Sequence, residues 1–182
     1  MTVFVAVLFK CRLVKDGFFS NSPLFRCVKD FIVQFGITDK QKHRHWHTEP
    51  IKDDINLKKG IKKNYLSFAG NGPDSRSTNV FIAFRDLDML GKTPWETPFG
   101  KLVRGASVMA NWYCGYGDMK QGGNSEGIDA DKVYSQGNKY LRRDFPELDY
   151  IISCRVVSRN STSSRSRVSS KMPVLEDEDK AT

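Results

Sequence analysis

Six short stretches of this chain are rich in β-branched and aromatic residues: Leu24–Val28, Phe31–Ile37, Tyr65–Ala69, Asn79–Phe84, Phe99–Val103 and Tyr150–Val157. Each has the length of a strand and is too short for a packed helix. Turn-forming residues lie between most of them. Several short strands punctuated in this way predict a mainly β fold, a sandwich or a barrel. Two helices are expected beside them, a short one over 104–113 and one over Asp131–Phe145 that stops at Pro146, because proline cannot continue a helix. Between the two, Cys114–Gly127 holds five glycines and no apolar pattern, so it reads as a loop. The charged stretch Thr38–Lys63 is too long for an idle connection. Residues 3–17 are mostly apolar, with Gly17 as a helix stop.

The chain divides by composition into a domain over 1–157 and a tail over 158–182. The tail has a Ser/Arg mixture at Ser161–Ser170 and an acidic block at Glu176–Asp179, with little to bury, so disorder is expected there. The formal net charge of +8 fits either an acidic partner such as RNA or simple solubility. The apolar start, Met1–Phe9, carries its positive charges after the run rather than before it and is far too short to span a membrane. It reads as a buried element, and no membrane partner is expected. Cys11, Cys27, Cys114 and Cys154 form no CxxC pair and match no zinc spacing, so all four read as thiols, which favours a cytoplasmic chain.

Two ordered segments carry a family resemblance. Phe25-Arg26-Cys27-Val28-Lys29-Asp30-Phe31-Ile32-Val33-Gln34-Phe35-Gly36 resembles the cyclophilin stretch F-[HR]-[RV]-x-x-x-x-F-[MI]-x-Q-x-G. Leu66-Ser67-Phe68-Ala69-Gly70-Asn71-Gly72-Pro73, continued to Asn79-Val80-Phe81-Ile82, resembles the family's L-S-M-A-x-x-G-P-x-x-x-x-S-Q-F-F-I signature. Phe99-Gly100-Lys101-Leu102-Val103 resembles its F-G-K/R-V strand, and Gly115-Tyr116-Gly117-Asp118 a divergent branch. The resemblance runs from about residue 13 to 157 and begins near the end of the family's first helix, so the family's first strands are expected to be missing. It implies an eight-stranded antiparallel β-barrel with two helices, incomplete here, acting as a monomer on proline-containing peptides and proteins.

The implied activity is rotation about X-Pro peptide bonds, with assistance to protein folding. The barrier is amide resonance, about 18–20 kcal/mol. No covalent bond changes, so no metal or other cofactor is expected; the site has only to bind the twisted amide better than either planar form. The resemblance gives Arg26 the role of catalytic cation, donating to the proline nitrogen as its lone pair returns, and Gln34 that of hydrogen-bonding the substrate backbone. It makes Phe31, Ile32 and Phe81 the proline pocket, and Ala69, Gly70 and Asn71 the rim that pairs with the peptide. Asn79 stands where the family usually has Gln, one methylene shorter. The family's Trp and His before the F-G-K strand have no clean counterparts, although Trp95 and Glu96 lie nearby. Read singly, Arg26 is a surface arginine and the apolar residues are ordinary core. Only their common order points to a site.

Three other features lie outside this resemblance. His43, His45 and His47 would share one face of an extended segment and meet a metal, but no Cys or carboxylate completes a known spacing; the plainer reading is a solvated basic loop beside Trp46. Lys58–Lys63 and the Arg-rich tail suit RNA, or simply water. Ser163–Ser170 could take phosphate, and Asn160-Ser161-Thr162 fits a glycosylation sequon.

Overall fold

A computed structural model of the chain describes residues 4–38, 40–54 and 60–157. The tail, its serines and its sequon lie outside the described residues, as do Lys58 and Lys59. The apolar N-terminal segment is a helix, α1 (Phe4–Lys15), closed by Gly17 at φ 71°, a conformation that costs glycine little. Ala6 and Leu13 are buried, while Val7 and Leu8 face solvent. Lys10 is buried as well. Its ammonium donates to the carbonyls of Ser77 (3.2 Å) and Thr78 (2.7 Å) and lies 4.4 Å from the centroid of the Phe68 ring. Burial pushes its pKa well below the usual lysine value.

Every one of the six apolar runs contains a strand, shorter than the run itself. The strands are β1 (Ser22–Pro23), β2 (Arg26–Val28), β3 (Ile32–Phe35), β4 (Tyr65–Phe68), β5 (Val80–Ala83), β6 (Gly100–Lys101) and β7 (Tyr150–Ile151). The unforeseen one, β1, is a Ser-Pro pair without β propensity; it is a strand because β7 pairs with it. Strands β2 to β6 form an antiparallel sheet in the order β2-β3-β5-β4-β6, and β1 with β7 forms a separate ribbon. Among the described residues the sheet does not close on itself, so the expected barrel appears as an open sheet plus a ribbon.

The two faces of the sheet follow from the period of two. Cys27, Val33, Phe35, Val80 and Ile82 point to one face and pack with Leu13, Phe18, Phe19, Leu24 and Trp46 as the main core. Ile32, Phe81 and Ala83 point to the other and pack with Ile61 and Leu87. Gly36 ends β3 at φ 113°, pressed against the backbone of Thr78 and Asn79.

The expected helix over 104–113 contracts to α3 (Ala106–Met109). The expected Asp131–Phe145 helix is two, α4 (Ala130–Gln136) and α5 (Asn138–Asp144), broken at Gly137, whose φ of 60° and ψ of −146° leave the helix. Asp129 caps α4, accepting from the backbone N–H of Asp131 and Lys132.

Two readings are corrected. Cys27 and Cys114 are joined in a disulfide across 87 residues, with Cα atoms 4.7 Å apart, so only Cys11 and Cys154 are thiols. Spacing carried no sign of it, because the fold alone brings the segment after α3 onto β2. The three histidines do not share one face, for the segment is helical, a 3-10 turn at Gln41–His43 and then α2 (His45–Thr48): His43 and His47 both pack against Phe18, while His45 is exposed. His43 and Trp46 are buried, and the indole donates to Asp16 (3.1 Å). His47 accepts from the Thr38 N–H at Nε2 and lies 2.7 Å from the Thr78 hydroxyl at Nδ1. Since Nε2 accepts, Nδ1 carries the proton and donates.

Candidate active site

Strand register assembles the site. Arg26 pairs with Gln34, Gln34 with Phe81, and Phe81 with Ser67, across β2, β3, β5 and β4. Directly opposed residues share a face. One row therefore carries a cation, an amide, an aromatic ring and a hydroxyl. Phe31 and Ile32 flank this row, with the Arg26 guanidinium 6.0 Å from the Phe31 ring centroid. The rim comes from the segment after β4. Gly70 sits tightly, since a Cβ there would lie 3.0 Å from the Trp95 Cβ and 3.1 Å from the Ser75 Oγ. Ser75 fixes the turn, accepting from the Asn71 N–H (2.7 Å) and donating to the Gly72 carbonyl (2.6 Å).

These residues enclose a groove of about 440 Å³. Of the nine residues expected at the site, Arg26, Phe31, Ile32, Gln34, Ala69, Gly70, Asn71 and Phe81 line it. Asn79 does not; its amide donates to the Tyr134 hydroxyl (2.8 Å) on α4. The expected rim pairing is also narrowed, because the Ala69 N–H already donates to the Asn79 carbonyl and the Asn71 N–H to Ser75.

Other lining residues lie outside the expected set: Phe68, Leu90, Met119, Gln121, Gly122 and Glu96. Glu96 accepts from the Gly91 N–H (3.1 Å), while its own carbonyl accepts from Ser67 (2.7 Å). The main surprise is Asp118. The Arg26 Nη2 donates to Asp118 Oδ2 (3.1 Å), Nε lies 2.7 Å from Oδ1, and Nη1 donates to Gln34 Oε1 (3.1 Å). The sequence marks Asp118 only as the end of the Gly115-Tyr116-Gly117-Asp118 stretch, with no role attached to its carboxylate.

A larger cavity of about 610 Å³ lies elsewhere, lined among others by Lys29, Lys63, Phe84, Met109 and Trp112. It shares none of the expected residues and brings no arginine to an amide. The basic stretch before β4 is partly neutralised, since Lys62 pairs with Asp86 (3.1 Å) and Asp88 (3.5 Å) and Asp86 holds its pKa above the usual value. No helix among the described residues is long and apolar enough to cross a membrane.

A family model described as cyclophilin type peptidyl-prolyl cis-trans isomerase/CLD matches residues 10–115. The chain is similar to peptidyl-prolyl cis-trans isomerase B of Escherichia coli (strain K12), 25% identical over 147 residues, which cover 79% of this chain and 80% of that protein. It is also similar to peptidyl-prolyl cis-trans isomerase cypE of Dictyostelium discoideum, 29% identical over 105 residues, 54% of this chain and 64% of that one. Among solved structures it is similar to a cyclophilin type isomerase of Cryptosporidium parvum determined in the presence of the dipeptide Ala-Pro, with a TM-score of 0.47 and 21% identity over 58% of this chain and 69% of that one. The matched stretch 10–115 contains all eight expected groove residues and ends before Asp118.

Proposed function

The chain belongs to the cyclophilin type peptidyl-prolyl cis-trans isomerase family, and we propose that this groove turns X-Pro bonds by binding the twisted amide at Arg26. The carrying observation is the row Arg26–Gln34–Phe81 with Phe31 and Ile32 beside it. In the planar amide the proline nitrogen shares its lone pair with the carbonyl; at the twisted midpoint the pair is localised and accepts a hydrogen bond. A fixed guanidinium is always charged and donates only then, so its stabilisation is specific to the transition state. Phe31, Ile32 and Phe81 hold the ring while the preceding carbonyl swings. Gln34 both grips Arg26 and faces the substrate backbone. We also read the open sheet and the β1–β7 ribbon as parts of the family's barrel, and 1–157 as one domain, because the apolar clusters all lie within it.

The test is exchange of an Ala-Pro peptide followed by NMR, wild type against Arg26→Ala, with both shown to be folded by circular dichroism. Acceleration by the wild type, reduced at least about tenfold in the variant as expected for loss of a charged hydrogen bond, supports the reading. A folded wild type that leaves the exchange rate unchanged refutes it. A second reading, a module that binds proline peptides without turnover, draws on one observation: the Asn79 amide is committed to Tyr134. Saturable binding with no acceleration would favour it.

A further inference from the structure

The Arg26–Asp118 pair has no part in the reading above, and it is built into the molecule from several sides. The loop that carries Asp118 is tied to β2 by the Cys27–Cys114 disulfide, one residue from Arg26. Within the loop, the Asn124 amide donates to the carbonyls of Tyr116 (3.0 Å) and Asp118 (3.1 Å), holding its curvature. The Met119 N–H donates to Asp118 Oδ1 (2.7 Å), which orients the carboxylate. Gly122 makes room for it: a Cβ at that position would collide with the carboxylate, 2.5 Å from its Cγ. The Arg26 and Asp118 side chains are only 19% and 28% exposed, so water competes weakly for the contact.

We infer that Asp118 is the positioning residue of the groove, holding the Arg26 guanidinium at the angle from which it meets the proline nitrogen. The inference rests on the isomerase reading of the groove. A guanidinium has five N–H donors in one plane. Gln34 takes one from Nη1, Asp118 takes one from Nη2, and the Asp118 Oδ1 lies against Nε. One proton on each Nη is left for a substrate. Gln34 alone fixes one end of the fork and leaves rotation about the Nε–Cζ side open. The carboxylate on the opposite edge closes that freedom, so orientation is set before the substrate arrives. Pre-set orientation acts on the chemical step more than on ground-state binding.

The test compares wild type with Asp118→Ala, Asp118→Asn and Gly122→Ala by NMR exchange of an Ala-Pro peptide below and above saturation. The Gly122→Ala chain keeps every polar group and only pushes the carboxylate off the arginine. Asp118→Asn keeps the acceptor for Met119 should Asp118→Ala fail to fold. A second readout is the Arg26 side chain itself, whose Nη1 and Nη2 resonances are separate when the fork is held and merge when it turns freely. We expect kcat to fall about tenfold in Asp118→Ala and Gly122→Ala with KM within about twofold, less in Asp118→Asn, and the Nη resonances to merge in step with the loss. Folded variants that match or exceed wild-type kcat overturn the inference and leave the isomerase reading standing. Separate Nη resonances in a variant that has lost activity also overturn it. A folded wild type without acceleration overturns both.

Discussion

Replacing Arg76 with Ala removes a fully buried cation from beneath the groove's rim. Its Nη1 donates to Asp54 Oδ2 (2.8 Å), its Nε lies 3.0 Å from Asp53 Oδ1, and its Nη2 donates to the Lys52 carbonyl. The Arg76 side chain is 0% exposed, and those of Asp53 and Asp54 are 13% and 6%. Asp53 and Asp74 also exchange backbone N–H contacts, so the network ties 51–54 to the loop that carries Gly70 and Asn71. Were the pairs at the surface, the loss would be about 1 kcal/mol or less. Here two carboxylates would be left in a dry site with no countercharge, which costs about 3–5 kcal/mol. With an m-value of about 2 kcal/mol/M in urea, the midpoint of unfolding should fall by roughly 2 M. A double-mutant cycle with Asp54→Ala should give a coupling of at least about 1 kcal/mol, because removing both partners leaves one stranded carboxylate, Asp53, in place of two. A midpoint within about 0.5 M of wild type, or a coupling near zero, would show that water reaches these carboxylates and that the buried network does not hold the rim.

Two further outcomes follow from the same packing. Burial lowers the His47 pKa from 6.5 to about 4; the unfolded chain therefore takes up a proton that the folded one refuses, and stability that is complete above pH 6.5 is lost as pH falls toward 4. Allowing for the partly solvated ring, the loss from pH 7 to 5 should be about 1 kcal/mol by urea denaturation, and an equal loss in His47→Gln would assign it to other groups. Gly36→Ala should destabilise by about 1–3 kcal/mol, since its φ of 113° disfavours any Cβ and a Cβ would run into the Thr78 carbonyl; an unchanged melting temperature would mean that the β3 end relaxes freely.

The cores of the strands were legible because alternation is a local property. A run such as Phe31–Ile37 announces both its conformation and its two faces. The order of Arg26, Phe31, Ile32 and Gln34 was legible for the same reason: three of these residues sit on β2 and β3, joined by a tight turn, so sequence spacing is nearly spatial spacing. Asn79 shows the limit. It lies one residue before β5, where alternation no longer governs direction, and α4 offers the Tyr134 hydroxyl as a partner. The sequence predicts one unbroken helix over Asp131–Phe145, because a single glycine inside a helical pattern is often tolerated, whereas the fold uses Gly137 to turn the chain.

By itself, then, the sequence determined the mainly β character, the positions of β2 to β7 and eight of the groove residues, all of which depend on short-range pattern and family order. Tertiary structure alone decided the open arrangement of sheet and ribbon, the Cys27–Cys114 bond, the burial of Arg76 and the grip of Asp118 on Arg26. These last join residues 87, 22 and 92 positions apart. No local propensity encodes such contacts, because whether two distant groups meet depends on how the whole core packs.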